Sequence, residues 1–322
     1  LSRYLNLALL ALLLLMNSCN VTKSLYEDEV LVTKNKISGI DKIHKTEMKT
    51  LVRPRANKKF LGIFRTKAWI YQRATRGNAS ALVKRLNENL GEPPALLDSL
   101  QIKESTINLE RYLRDKGYFY GKVQHSNHFY GRNKKKVRIA YVLTPGVRYT
   151  VRDISYEPTQ SPIDEFVRFH MLESKEFPLQ KGMPYDADEM SRSRGTLANF
   201  LREQGFFYFN RDLVFFEVDS ALGTGQVDLK IRIKRPKERF YFEQFRFDSI
   251  VVNVDYQVYQ AAQDTQWLDT LQQKAYYFID RNPETIRKDI LIQNMLFRKG
   301  LMFSESAMRL TQSRISDLKV FG

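Results

Sequence analysis

Leu113–Tyr120 reads LRDKGYFY, and Leu201–Tyr208 reads LREQGFFY. Both stretches run from leucine and arginine through an acidic and a polar residue to glycine and aromatic residues, so the chain contains an internal repeat. Glycine adopts the left-handed backbone conformation that ends many helices, and the aromatic residues behind it favour a strand. The motif therefore predicts a switch from helix to strand at Gly117 and again at Gly205.

A second marker stands before an extended segment in two places. Pro145–Tyr149 (PGVRY) precedes residues 150–157, and Pro236–Phe240 (PKERF) precedes residues 241–248. A fainter copy of the first motif is found at Ile315–Phe321. Together the markers predict three successive domains, which are residues 19–146, 147–235 and 236–322.

The middle domain gives the clearest order of elements. Asp186, with Glu189 three residues later, is a capping-box pattern that starts the helix ending at Gly205. Residues Ser105, Ser161 and Ser304 are predicted to cap further helices. The last strand of each of the first two domains alternates between apolar and basic residues, with Val137, Ile139, Tyr141 and Leu143 in one and Leu229, Ile231 and Ile233 in the other. The order strand–helix–helix–strand–strand predicts an α+β fold.

The outer domains depart from this pattern. The first carries a long basic insertion, about residues 53–91, between helices expected at about 41–52 and 105–116. In the third, the first strand is expected within 241–248 and is followed by an extra stretch, 249–278. Two strands are expected after its helices and are missing, so the third repeat is predicted to be truncated.

The amino terminus is typical of an export signal. An early arginine precedes the apolar run Leu5–Met16, which is too short to span a bilayer, so residues 1–18 are predicted to be a signal peptide. Behind it, residues 15–19 read LMNSC, and Cys19 is the only cysteine of the chain. This resembles the lipobox of bacterial lipoproteins, in which the cysteine becomes the lipidated first residue. The alternative is an ordinary cleaved signal with a chance cysteine.

The net charge of +16 is concentrated in three segments. Residues 53–91 carry ten Lys or Arg and one Glu, and residues 132–138 and 230–239 each have a net charge of +5. A chain this basic invites a nucleic-acid function. The export signal argues against that function, because an exported protein does not meet the chromosome.

The Pro-Gly-x-x-Tyr segment, the helix-ending Gly-Phe-Phe-Tyr and the element order together resemble a POTRA domain. These domains are the periplasmic repeats of the BamA/TamA-type outer-membrane assembly proteins. With its lipobox, the chain is most similar to the TamA-like outer-membrane lipoproteins of Bacteroidetes-type bacteria, over nearly all of residues 25–322. In that family a membrane β-barrel follows the last repeat, and this sequence is expected to be a fragment that lacks it.

The resemblance implies a periplasmic module, lipid-anchored at Cys19 (a palmitate-type anchor) on the periplasmic face of the outer membrane. It would bind unfolded outer-membrane or exported clients and pass them to a downstream barrel, with periplasmic assembly subunits as further partners. The resemblance implies no enzyme activity, no cofactor and no nucleic acid. Whether the nearest relation is the general assembly machine or the translocation-and-assembly module stays open. The alternative is a lipid-anchored scaffold of the cell envelope, or a peptidoglycan binder, without insertase activity.

Two kinds of binding surface follow from the residues. The basic insertion interleaves its charges with aromatic residues, and Phe64, Arg65, Lys67 and Trp69 are candidates for contact with anionic lipid. The alternative is that these aromatic residues pack into the first domain and the charges face solvent. An edge strand is the second surface, because an extended client can add to it as a further strand. Strand addition needs no particular side chains, so the sequence pattern does not identify the residues of the edge.

No catalytic or metal-binding set emerges from the remaining residues. His125 and His128 are three apart on a predicted strand and should face opposite sides of the sheet. His44 and His170 are isolated. Gly223–Gly225 is interpreted as a hairpin turn between two strands rather than a phosphate-binding loop.

Overall fold

The computed structural model forms two compact units, Leu1–Tyr149 and Thr150–Gly322. The residues that it describes are 21–60, 64–75, 79–172, 177–220, 223–254, 270–273, 276–279 and 287–318. The predicted signal peptide and Cys19 lie outside these residues. Among them, no helix is both long and apolar enough to cross a membrane. The domain boundaries at 146/147 and 235/236 stay predictions.

The first unit contains a three-stranded sheet and four α-helices. In chain order they are β1 (Leu31–Ser38), α1 (Lys42–Met48), α2 (Thr66–Thr75), α3 (Ala81–Leu90), α4 (Ser99–Asp115), β2 (Lys122–Tyr130) and β3 (Lys136–Thr144). The central strand β3 runs parallel to β1 and antiparallel to β2. Its apolar residues Val137, Ile139, Tyr141 and Leu143 are all buried, as the alternation predicts. They form the core with Leu109 and Leu113 of α4.

The long helix α4 begins earlier than predicted. Its cap is Asp98, whose carboxylate accepts hydrogen bonds from the backbone nitrogens of Leu100 and Gln101, so the prediction that Ser105 caps this helix is wrong. Ser105 is instead buried inside the helix, where its hydroxyl accepts a hydrogen bond from the backbone nitrogen of Arg53 at 2.8 Å. A serine can satisfy a buried backbone group in either place, and its pattern alone does not distinguish them.

The second unit begins with a sheet of the same arrangement. Its elements are β4 (Thr150–Tyr156), α5 (Ile163–Leu172), α6 (Ala187–Glu203), β5 (Val214–Asp219) and β6 (Gln226–Ile233). Strand β6 lies in the centre, parallel to β4 and antiparallel to β5. Asp186 caps α6 as predicted, and the glycines after α4 and α6 have φ of 88° and 97°. The predicted order strand–helix–helix–strand–strand is confirmed for this repeat.

The third repeat has a different element order. Its described elements are β7 (Ile250–Asn253), β8 (Thr270–Gln273), β9 (Tyr276–Ile279), α7 (Lys288–Asn294) and α8 (Glu305–Asp317). The prediction of a first strand within 241–248 is wrong, because a 3-10 helix covers Arg239–Phe242 and the strand begins at Ile250. The stretch predicted as extra holds a hairpin, β8–β9, that pairs with β7. Ser304 caps α8 as predicted.

One backbone contact identifies equivalent positions in all three repeats. Antiparallel bridges join Leu31 to Leu96, Thr150 to Pro184 and Arg246 to Met302. Each bridge lies two residues before the cap of the long helix, at Asp98, Asp186 and Ser304. The segment before each long helix is therefore bonded to the start of the first strand in the first two repeats, and to Arg246, four residues before β7, in the third.

The hairpin β8–β9 fills the sheet positions that the last two strands fill in the second repeat. The backbone nitrogen of Phe247 bonds to Leu301 on one side, and that of Val254 bonds to Ile279 of the hairpin strand. Phe247 has an odd number and Val254 an even one, and backbone groups alternate between the two edges of a strand. The hairpin therefore lies on the edge of the first strand opposite to the segment of Leu301. In the second repeat, Val151 bonds to Met183 while Thr150 bonds to Gly225, next to β6.

Candidate strand-addition edges

Strand β2 has an open outer edge. The backbone nitrogen of Val123 donates to the Glu110 carboxylate of α4 at 3.1 Å and therefore does not face β3. Backbone groups alternate between the two sides of a strand, and the β2–β3 register has no shift. The N–H and C=O groups of His125, Asn127 and Phe129 thus also face outward. Within the described residues, no other segment pairs with them.

The side chains at this edge leave room for an added strand. His125, Asn127 and Phe129 lie on the helix-facing side of the sheet, yet all three are exposed, and the Phe129 ring is 42% accessible. The opposite residues of β3 are buried. Helix α4 reaches as far as His125, where Thr106 Oγ1 lies 3.4 Å from the ring Nδ1. These three residues form an exposed surface beside α4, and the apolar ring of Phe129 lies at the end of this surface farthest from Val123.

Strand β5 offers a second, shorter edge. The backbone nitrogen of Lys234 donates to the Leu213 carbonyl at 2.8 Å, which fixes the parity of the β5–β6 ladder. By alternation, the backbone groups of Phe216 and Val218 face outward, whereas the N–H of Val214 already donates to the Arg211 carbonyl. The Val214 side chain is buried, and those of Phe216 and Val218 are half-buried. This edge is therefore more apolar than that of β2.

The predicted basic face of β6 is partly neutralised. Arg232 lies 2.9 Å from Glu157 and also bonds to Glu217, and Arg152 Nε bonds to Asp228 at 2.8 Å. The hydrogen bond that Arg232 donates to the Glu217 carboxylate is the largest influence that raises the pKa of Arg232. These ion pairs engage the guanidinium groups of Arg232 and Arg152, which would otherwise be available to an acidic client. Lys230 and Lys234 remain exposed.

The four residues predicted to touch lipid lie in different environments. Trp69 packs against the cluster of Val21, Leu31 and Ala68. The Arg65 guanidinium donates to the Thr33 carbonyl at 2.9 Å, and burial lowers its pKa. Phe64 is half-buried and Lys67 is exposed. The positions of Trp69 and Arg65 favour the packing alternative for those two residues.

The histidines lie apart from one another. In the β2–β3 register His125 is opposite Tyr141 and His128 is opposite Arg138, so the two face opposite sides of the sheet. His44 bonds to the Tyr112 hydroxyl at 2.9 Å, and His170 is buried against the Phe200 ring. Among the described residues, no group of three or more His, Cys, Asp or Glu is placed to hold a metal ion. Gly223–Gly225 lies between the antiparallel strands β5 and β6, as predicted.

A polar junction within the second unit was not predicted. Glu203, at the end of α6, accepts hydrogen bonds from the Ser304 hydroxyl and the Ser306 backbone nitrogen, both at 2.6 Å. Arg202 Nε bonds to Glu305 at 2.7 Å. Burial raises the pKa of Glu203, but the hydrogen bonds from the two serines together outweigh it and hold the pKa below its usual value. In the sequence, the only indication of this junction is that Arg202 and Glu203 directly follow Leu201 of the repeated motif.

Residues 174–235 match a family model described as POTRA, surface antigen variable number repeat. The match spans α6, β5 and β6. The second repeat is similar to POTRA domains. The POTRA-like arrangement extends to the first sheet, where β1, β3 and β2 have the same order and directions as β4, β6 and β5.

Three solved structures are similar to the whole chain. POTRA3-5 of Haemophilus influenzae BamA is 9% identical with a TM-score of 0.42, and the match covers 92% of this chain and 89% of that one. The N-terminal domain of Omp85 from the cyanobacterium Thermosynechococcus elongatus is 13% identical (91% and 88% covered, TM-score 0.31). POTRA1-3 of the periplasmic domain of Omp85 from Anabaena is 14% identical (91% and 87%, 0.29). All three TM-scores are below 0.5, and nothing about function follows from them. No curated protein matches the chain.

Proposed function

We propose that the chain receives extended polypeptide segments by strand addition and that β2 is the principal edge. The observation that carries this proposal is the row of outward backbone groups at His125, Asn127 and Phe129. A strand added there would gain ladder hydrogen bonds without any requirement for side-chain sequence. That suits a receiver of many unfolded clients.

The edge of β5 would take a second segment of different character. Its open outward positions are Phe216 and Val218, so an added strand would lie beside half-buried apolar side chains. The open edge of β2 is lined by polar residues up to Phe129. The two edges differ in polarity and would therefore favour client segments of different composition.

We place this receiver on the periplasmic face of the outer membrane, anchored through a lipid on Cys19. The apolar run Leu5–Met16 and the LMNSC sequence before and at Cys19 support export and acylation. The POTRA match of the second repeat supports a client-binding role beside a membrane β-barrel, to which bound segments would be passed. Acyl labelling that is lost in Cys19→Ala tests the anchor directly.

A proline at Asn127 tests the strand-addition edge. Its ring removes an outward N–H but no bond of the β2–β3 ladder, and edge strands tolerate proline at such positions. Asn127→Thr is the matched control, because it keeps the N–H and favours a strand. We expect Asn127→Pro to weaken binding of a fluorescein-labelled peptide of alternating aromatic and polar residues by about tenfold, with Asn127→Thr near wild type.

Circular dichroism shows first that both variants are folded. Equal peptide binding by Asn127→Pro and Asn127→Thr contradicts the proposed role of β2. An equal loss in both variants also contradicts it, since it means that the Asn127 side chain, and not the backbone edge, recognises the peptide.

A further inference from the structure

Helix α3 (Ala81–Leu90), in the basic insertion, exposes an apolar stripe. None of its side chains is buried. Leu82, Leu86 and Leu90 recur every four residues and are 68%, 39% and 46% exposed. Side chains at this spacing lie on one side of a helix. Val83 and Asn87, beside the stripe, are half-buried, and α3 packs against α2.

The helices that carry this stripe are rich in cations, of which Arg85 flanks the stripe on α3 while Lys84 lies on the far side with Glu88. The exposed residues of α2 and α3 include Lys67, Arg73, Lys84 and Arg85, against the single carboxylate Glu88. None of the four cations forms an ion pair with another residue of the part of the chain that the structure describes. The whole insertion, residues 53–91, has a net charge of +9. Positive charge of this density is not needed to fold two short helices and repels itself.

A partner for this surface must combine an apolar layer with negative charge. A bilayer of anionic lipid does so, because its acyl boundary accepts leucine side chains while its headgroups meet lysine and arginine. A ten-residue helix is marginal alone in water, but α3 is already held by α2 and loses little entropy when it binds. The complementary charge favours lipid over a second copy of this basic chain, since two such insertions would repel each other.

We propose that α3 lies on an anionic membrane surface, with Leu82, Leu86 and Leu90 in the acyl boundary and Arg85, beside the stripe, among the headgroups. The lipid contact of the insertion is thus carried by α3, while Trp69 and Arg65 hold the insertion to the first domain. This contact does not depend on strand addition at β2.

A fluorophore at position 86 tests the contact without interference from other membrane-binding parts of the chain. The full chain with Cys19→Ser and Leu86→Cys is labelled with bimane, and a matched chain carries the label through Glu88→Cys, on the opposite side of α3. With vesicles of phosphatidylcholine and phosphatidylglycerol, we expect a blue shift and quenching by nitroxide-bearing lipid at position 86 but not at 88. Vesicles of phosphatidylcholine alone should give neither.

Charge reversal separates lipid from other occupants. Arg85→Glu should weaken the vesicle-dependent shift by about tenfold, because it replaces a favourable charge near an anionic surface with an unfavourable one, whereas Lys84→Glu, on the side of Glu88, should weaken it less. These side chains are exposed, so the fold, checked by circular dichroism, should be unchanged. No shift at position 86 on anionic vesicles overturns the proposal. So does a shift that rises with protein concentration in the absence of vesicles, which would identify a second copy as the occupant.

Discussion

The carbonyl oxygen of Gly205 accepts a hydrogen bond from the backbone nitrogen of Phe245 at 2.8 Å. In the first unit, the Gly117 carbonyl accepts one from Tyr149 at 2.9 Å. Tyr149 directly precedes Thr150, which forms the bridge to the segment before α6. Phe245 directly precedes Arg246, which forms the bridge to the segment before α8. The glycines that end α4 and α6 thus also bond to the chain just before Thr150 and Arg246.

Gly205→Ala should destabilise the second unit by about 1–2 kcal/mol, because an L-residue is strained at the φ of 97° found there. An added Cβ would also lie 2.5 Å from the Met302 sulfur, although that flexible side chain can move. Urea unfolding of the full chain measures the effect.

Gly195→Ala is the matched control. Gly195 lies within α6, and a Cβ there would meet nothing within 4 Å. Alanine favours a helix, so this change should stabilise by up to about 1 kcal/mol. If both alanine variants shift the urea midpoint in the same direction, the special role of the Gly205 backbone is refuted.

Glu203→Gln should lower the free energy of unfolding at neutral pH by about 1 kcal/mol, since an amide cannot accept hydrogen bonds from Ser304 and Ser306 with both of its terminal atoms. The folded-state pKa of Glu203 is depressed. Its contribution is therefore present above the unfolded pKa and is lost as the pH falls through the folded pKa.

The wild type and Glu203→Gln should consequently converge in stability under acid conditions. Urea midpoints taken from neutral pH down to below the usual glutamate range measure this convergence. A difference between the two proteins that stays constant with pH would show that the carboxylate charge has no role at the junction.

Asp164→Asn should destabilise the second unit by about 1–3 kcal/mol. One oxygen of this carboxylate accepts from the Tyr156 hydroxyl at 2.5 Å and from the Thr159 nitrogen and hydroxyl at 2.9 and 2.7 Å, and the other accepts from the Gln160 nitrogen at 2.8 Å. Burial raises the pKa of Asp164, but these hydrogen bonds together hold it below its usual value.

In the asparagine variant, one terminal atom becomes an NH₂ group that faces backbone donors. Thermal unfolding compares it with Glu165→Gln, an exposed carboxylate of the same first turn, which should stay near wild type. An equally small effect of both changes would mean that water replaces the Asp164 carboxylate at no cost.

The repeated motif predicted the parts of the fold that depend on local backbone chemistry. The glycines at 117 and 205, the caps at Asp186 and Ser304 and the buried alternation of β3 and β6 are all found. The prediction that Ser105 is a helix cap was wrong because a serine hydroxyl can equally bond to a distant backbone group inside the core. The third sheet was misplaced because its partner strands come from a hairpin, and pairing between distant segments leaves no local pattern.

The candidate edge could be predicted as a type of surface but not as residues. That β2 is open follows from the bond between Val123 and Glu110, which joins a strand to a helix across the core. Its accessibility follows from α4 reaching only as far as His125, which leaves the Phe129 ring exposed. Likewise, the apolar stripe of α3 is visible in the spacing of its leucines, but only the packing against α2 shows that it stays uncovered.

The hairpin β8–β9 changes the order in which the last repeat can fold. In the second repeat Thr150 pairs with Gln226, and two helices lie between them in the sequence. In the third repeat Ile250 pairs with Tyr276, and the chain between them is roughly a third as long. The shorter loop costs less entropy to close, on the order of 1 kcal/mol less. The third sheet can therefore assemble before α7 and α8 pack onto it, and in less time than the second sheet.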